Sequence, residues 1–398
     1  MWIAHGPARR TYIVRADRPL PPPSASGTVR TMSKPRAITA AIVVAAVLAF
    51  AAVQVLVRRP RAVVEAPREE LATEAYAAAM HAKRTEDAAP QRVPIGGHAD
   101  TGAPPADDVR FTARIGRGPD DFGAELAREG VQRGPAALEV SAEGAAILDL
   151  VNGVLRRIDP QGRPLGARPL PSKHVVEAIA LPQGKTLFFE RSEAGQGLVV
   201  TDAAGQVVGR LAIPETVANA DADVSRVVVR GETVYVETNG TGPLHAVGTT
   251  AGEPLPEGTS VDGYPTRDDR LLLSAGITNE DEGRAWLNAS DRATGTHRWT
   301  REIQFADEAT AVGFLDDDGR GHGWLVVLVG GKPGSFVDAA VCFDTASGNV
   351  IASHAIAVDD PPWQSFRDFS VGPAGELFAL RRSRDAMRVL RFPCEVTR

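Results

Sequence analysis

Five of the eight histidines in the 398-residue sequence, His174, His245, His297, His322 and His354, lie in separate segments of the chain. Imidazole can hold a metal or move a proton, but only where folding gathers several such groups. No short spacing gathers them here. There is no H-E-x-x-H, C-x-x-C, G-x-S-x-G or phosphate-binding Gly-rich loop. The run DDDGRGHG at 316–323 offers carboxylates to a cation. It lacks the spacing and terminal glutamate of an EF-hand, so a solvated hairpin is expected. NEDEG at 279–283 reads as an exposed loop. VDDPPWQSF at 358–366 combines acids with two aromatics, which suits a contact surface. No catalytic residue and no cofactor is expected, and metal binding is left open.

The elements that would position these residues repeat. From about residue 109, short apolar runs alternate with Gly, Asp, Asn and Pro, the signature of short strands and tight turns. One turn recurs in RIDPQGRPLG, VTDAAGQVVG, SDRATGTHRW and FDTASGNVIA. Its aspartate can accept backbone N–H bonds, and its glycine supplies positive φ. The turn glycines Gly162, Gly205, Gly252, Gly295 and Gly348 are 43, 47, 43 and 53 residues apart. A period in the forties with four strands per unit points to a β-propeller blade. Six units are legible, and each such turn joins a third strand to a fourth. The last unit, RDFSV, ELFALR and MRVLRF, is one strand short. VRFTARI at 109–115 has the alternation to supply it, so 109–115 is expected to pair with 386–392 and close the ring. The fold class is therefore all-β, a six-bladed propeller over 109–398.

The stretch from Ile115 to Gly166 resembles the opening of an NHL-repeat propeller. Gly116, Gly118, Pro119, Phe122 and Gly123 match that family's lead, followed by Gly134 and Pro135. Asp149, Asn152 and Val154 match the next positions, and Asp159 and Gly162 the turn. Gly153 stands where that family usually has arginine. Ala289, Asp291, Gly295 and Trp299 resemble the docking motif of quinoprotein-like propellers, which implies that Trp299 packs between blades. The vicinal cysteine pair of many quinoprotein dehydrogenases is missing, and one clear copy of the motif does not imply a quinone.

The first hundred residues are of another kind. Residues 1–36 are basic and rich in proline, with Met32 a possible natural start. Residues 37–57 carry no charge over 21 positions, about 31 Å as a helix, enough to cross a bilayer. An uncleaved anchor is expected, with a signal peptide cleaved near Ala49-Phe50-Ala51 as the rival. Residues 58–108 read as a partly helical linker. Cys342 and Cys394, the only cysteines, are expected as buried free thiols, with a disulfide as the alternative.

A net charge of −6 argues against a nucleic-acid partner. The expected partners are a membrane, through 37–57, and a protein or small molecule. In an up-and-down blade, the inter-blade loops share one face with the loops joining second and third strands. That face would carry the candidate interaction residues Lys173, His174, Asp359, Asp360, Trp363 and Phe366. Trp363 and Phe366 are either anchors for a partner or packing between blades. The expectation is a binding or scaffolding propeller in the periplasm, anchored in a bacterial inner membrane. The alternative is a propeller hydrolase or lyase with a metal at its central channel.

Overall fold

Runs of Val, Ile, Leu and Phe interrupted every few residues by turn formers can make only short strands, and these meet as antiparallel sheets. The computed structural model describes residues 90–95 and 109–395, apart from 117, 119, 127–130, 193–194, 219–222, 239–242, 331–335 and 360–361. The expected span at 37–57 lies outside these residues, as does most of the linker. Among the described residues no helix is long and apolar enough to cross a membrane.

Six sheets form the blades of an all-β propeller. Blade 1 holds Pro135–Ser141, Gly144–Asp149, Val154–Ile158 and Pro164–Pro169. Blade 2 holds Val175–Ala180, Thr186–Ser192, Gly195–Thr201 and Val207–Ala212. In blade 3 the strands are Val224–Arg230, Thr233–Thr238, Leu244–Thr249 and Ser260–Val261. Tyr264–Pro265, Leu271–Asn279, Arg284–Asp291 and His297–Gln304 make blade 4. Ala309–Asp317, His322–Val329, Val337–Asp344 and Val350–Ala357 make blade 5. Blade 6 takes Phe369–Val371, Leu377–Arg382 and Ala386–Phe392 from the C-terminal end of the chain.

The fourth strand of blade 6 comes from the other end of the domain. Val109–Arg114 runs antiparallel to Ala386–Phe392, with Phe111 opposite Val389 and Arg114 opposite Ala386. Val109, Phe111 and Ala113 are half-buried while Arg110, Thr112 and Arg114 are exposed, as period-2 alternation requires. Each neighbouring pair of blades encloses its own apolar core. Ile147 and Leu380 share the core between blades 1 and 6, and Leu148 and Phe188 that between blades 1 and 2. Leu198 and Val236 share the core between blades 2 and 3, and Leu287 and Leu325 that between blades 4 and 5.

The recurring turns join third strands to fourth. Their glycines adopt φ of 83, 84, 87, 67 and 72° in chain order. Asp159, Asp202, Asp291 and Asp344 each accept backbone N–H bonds within the turn, and Thr249 does so through Oγ1 in blade 3. Gly348 has a second role. A Cβ there would lie 2.5 Å from the Trp299 ring, whose Nε1 donates to the Thr345 carbonyl at 3.0 Å. Trp299 thus packs its indole from blade 4 against the turn of blade 5.

One expectation needs correction. Cys342 and Cys394 are disulfide-bonded, with Cα atoms 5.5 Å apart. Both side chains lie in the one core shared by blades 5 and 6, so packing brings together residues 52 apart in sequence. Within the stretch read as linker, the described residues 90–95 lie against the propeller. Gln91–Arg92 pairs in parallel with the outer strand of blade 4, and Val93 and Ile95 are buried against blades 4 and 5. Gln91 reaches blade 5, donating to Gly348 O and accepting from Val350 N. Gln91–Arg92 thus adds a short fifth strand to blade 4, and Val93 and Ile95 follow it into the core.

Candidate functional site

The residues selected from sequence divide between surface and interior. Lys173 and His174 are exposed in the loop from blade 1 to blade 2. Asp359 points inward and accepts from Arg382 N at 2.8 Å and Nε at 2.6 Å. Asp360 lies outside the described residues. Trp363 is 2% exposed, which contradicts its reading as a surface anchor. Its ring covers Gly134, where a Cβ would come within 2.6 Å, while Gln364 N bonds to Gln132 O at 2.7 Å. Phe366 is half-buried, its ring 5.4 Å from that of Phe189 in blade 2. Residues 362–368 are drawn inward by these contacts, because Trp363 and Phe366 have apolar partners in blades 1 and 2.

That inward course delivers Arg367 to the propeller's axis. From the start of blade 6, its Nη1 donates to Glu139 of blade 1 at 2.8 Å. Its Nη2 donates to Val227 O of blade 3 at 2.6 Å and lies 2.5 Å from Glu177 Oε1 of blade 2. One guanidinium thus joins four blades. Arg230 of blade 3 donates to Pro265 O of blade 4 at 2.5 Å and pairs with Asp316 of blade 5. Arg267 donates to Asp316 at 3.0 Å and to Val371 O of blade 6 at 3.1 Å. Asp317 accepts from Arg267 N at 2.9 Å. The hairpin expected at 316–323 forms, with Asp317 paired to Gly323, but it is not solvated throughout, because Asp316 and Asp317 are buried and only the turn that follows them reaches the surface.

Burial decides the ionisation here. It raises Glu177 from 4.5 to about 7, despite the opposing charges of Arg367 and Arg226. Burial, and then the adjacent Asp316 charge, raises Asp317 as well. Asp316 goes the other way. Its burial would raise it, but Arg230, Arg267 and Arg226 together hold it well below the ordinary carboxylate range.

Beside this network lies an axial cavity of about 280 Å³. Its wall includes Arg226, Arg230, Arg267 and Arg367 against Glu139 and Asp316. Ala180, Pro182 and Gly231, at or just past the ends of first strands, are exposed at its rim. The cavity therefore opens towards the turns joining first strands to second, away from the face selected from sequence. Guanidinium groups do not exchange protons near neutral pH, so this wall suits holding an anion more than acid–base chemistry.

The histidines take no part in this wall. His245, His297, His322 and His354 sit on second, third or fourth strands. His297 bonds to Thr300, His322 to Asp318, and His354 to Pro393 O. Among the described residues, no three His, Cys, Asp or Glu side chains are grouped to hold a metal ion. A signal for the axial network was present in sequence. The apolar first strands of blades carry isolated charges, Glu139, Glu177, Arg226, Arg230 and Asp316 among them.

No family model matches the chain, and no curated protein matches it. Solved structures do. BamB from Moraxella catarrhalis is 17% identical, over 64% of this chain and 84% of that one, with a TM-score of 0.34. A PQQ-bound aldose sugar dehydrogenase from Streptomyces coelicolor is 15% identical, over 69% and 98%, with a TM-score of 0.40. A protein of unknown function from Bacteroides caccae is 15% identical, over 56% and 81%, with a TM-score of 0.39. At these scores the likenesses bear on neither ligand nor activity.

Proposed function

We propose that the chain is a binding or scaffolding propeller without catalysis of its own, held at the outer face of a bacterial inner membrane by residues 37–57. The observation that carries this reading is the axis, where a catalytic propeller would need open reactive groups. Here Arg367, Arg230 and Arg267 bind the buried carboxylates and tie the blades to one another. Such a network makes the ring rigid and leaves its rim to make contacts. The Cys342–Cys394 bond supports a periplasmic location, since disulfides persist in oxidising compartments. Pairing of the N-terminal strand with blade 6, and a core shared by blades 6 and 1, support a ring closed by that strand. Kinship with NHL-type propellers belongs to the same proposal. It draws support from Asp149, at a matched position, which accepts from Gly123 N and Asn152 Nδ2 and fixes the matched lead.

Two experiments test the proposal. Full-length protein should sediment with membranes, resist a carbonate wash and place a C-terminal reporter in the periplasm. Recovery in the soluble fraction would remove the anchor from the account. Purified chain should show no ester, lactone or glycan cleavage with or without added divalent metal. Turnover abolished by a chelator would replace scaffolding with metal-assisted catalysis.

A further inference from the structure

The geometry points to the axial cavity as a binding site for one small oxyanion, a carboxylate or phosphate group, received by Arg226. Arg226 differs from its neighbours on the wall. Among the described residues no carboxylate lies within ion-pair distance of it, although Glu177, Glu237 and Asp316 are near enough to feel its charge. Its guanidinium instead lies between two rings, 4.7 Å from the Tyr264 centroid and 4.8 Å from that of Phe314. These contacts engage the guanidinium through the faces of the two rings and not through its N–H donors. The two rings also restrict the side chain, so little of its freedom remains to be lost on binding.

The other guanidinium groups are already balanced, Arg367 by Glu139 and Glu177, and Arg230 and Arg267 by Asp316 and Asp317, so Arg226 sets the sign of the ligand. The volume sets the size. About 280 Å³ falls at the lower edge of ordinary ligand pockets and holds roughly nine waters at about 30 Å³ each. Phosphate or a short dicarboxylate fits, and a nucleotide does not. The rim residues Ala180, Pro182 and Gly231 give access without any rearrangement of the ion pairs beneath.

This site does not depend on the membrane anchor or on any protein partner, so its test succeeds or fails apart from that reading. Full-length protein in detergent is titrated by calorimetry with inorganic phosphate, and separately with succinate, at low salt. At least one probe should saturate a single site per chain. Saturation by phosphate alone identifies a phosphate-bearing ligand, and by succinate alone a carboxylate. Arg226→Gln should weaken binding at least 10-fold, and Ala180→Trp, which blocks the mouth without removing charge, should do the same. Arg388→Gln, at an exposed position on the third strand of blade 6, should leave affinity unchanged. If Arg226→Gln does not fold, Ala180→Trp decides the matter alone. Failure of both probes to saturate, or wild-type affinity in the Ala180→Trp protein, would overturn the assignment.

Discussion

Glu177→Gln should make the propeller more stable at pH 8 while leaving it nearly unchanged at pH 5. Glu177 is 1% exposed on the first strand of blade 2, and burial raises its folded-state pKa from 4.5 to about 7. The folded chain therefore holds a proton that the unfolded chain has already lost. Stability contributed by this group is full below pH 4.5 and is lost as pH rises through 7. A rise of this size corresponds to about 3 kcal/mol in total, of which about 2–3 kcal/mol falls between pH 5 and 8. Glutamine keeps the shape of the protonated acid and cannot ionise. Arg367 loses one carboxylate but keeps Glu139 and the Val227 carbonyl. Asp317 and Asp338, each raised to about 6 with burial the largest cause, add slopes of the same sign in both proteins. The difference between the two profiles therefore isolates Glu177. Urea unfolding followed by tryptophan fluorescence at half-unit pH steps measures it. Parallel profiles, or a variant less stable than wild type at pH 8, would refute the burial argument.

Reducing the Cys342–Cys394 bond, which closes a loop of 52 residues, should cost about 4 kcal/mol by loop entropy and lower the urea midpoint. An unchanged midpoint in dithiothreitol would mean that packing between blades 5 and 6 suffices. Deleting 109–115 leaves Ala386–Phe392 with an unpaired edge, so the protein should unfold at lower urea or aggregate. Wild-type stability after that deletion would count against a ring closed by this strand. Changing Val93 and Ile95 to Asp removes two buried side chains worth about 1.5–3 kcal/mol each, and trypsin should then cut faster after exposed Arg92. Equal cleavage rates would show that the segment is held by other contacts.

The blade plan was legible because its signal is local. Each Asp-to-Gly turn uses φ and side-chain bonds set within five or six residues, and Gly162 and Gly348 behave in the structure as their sequence context predicts. The alternation in 109–115 carried enough information to find its partner strand at the far end of the chain. The axis was not legible as a site. Glu139, Glu177, Arg230, Asp316 and Arg367 come from five blades, and no spacing in sequence reports that they meet. For Trp363 the sequence leaves anchor and packing open, because acids and prolines beside it read as surface, and the slot that Gly134 opens for its ring decides for packing. The disulfide is not readable from sequence because Cys342 lies on a strand of blade 5 and Cys394 just past the last strand of blade 6, and only the packing of the two blades brings them together.

The most direct test of a non-catalytic binding propeller is crosslinking in intact cells, followed by capture of the full-length chain from detergent-solubilised membranes. The account predicts a discrete crosslinked species heavier than the chain, containing a second component in near-stoichiometric amount. It also predicts that this species persists in the Glu177→Gln protein, whose change is confined to the buried axis. A chain recovered uncrosslinked from the membrane, with metal-dependent turnover in the same preparation, would contradict it.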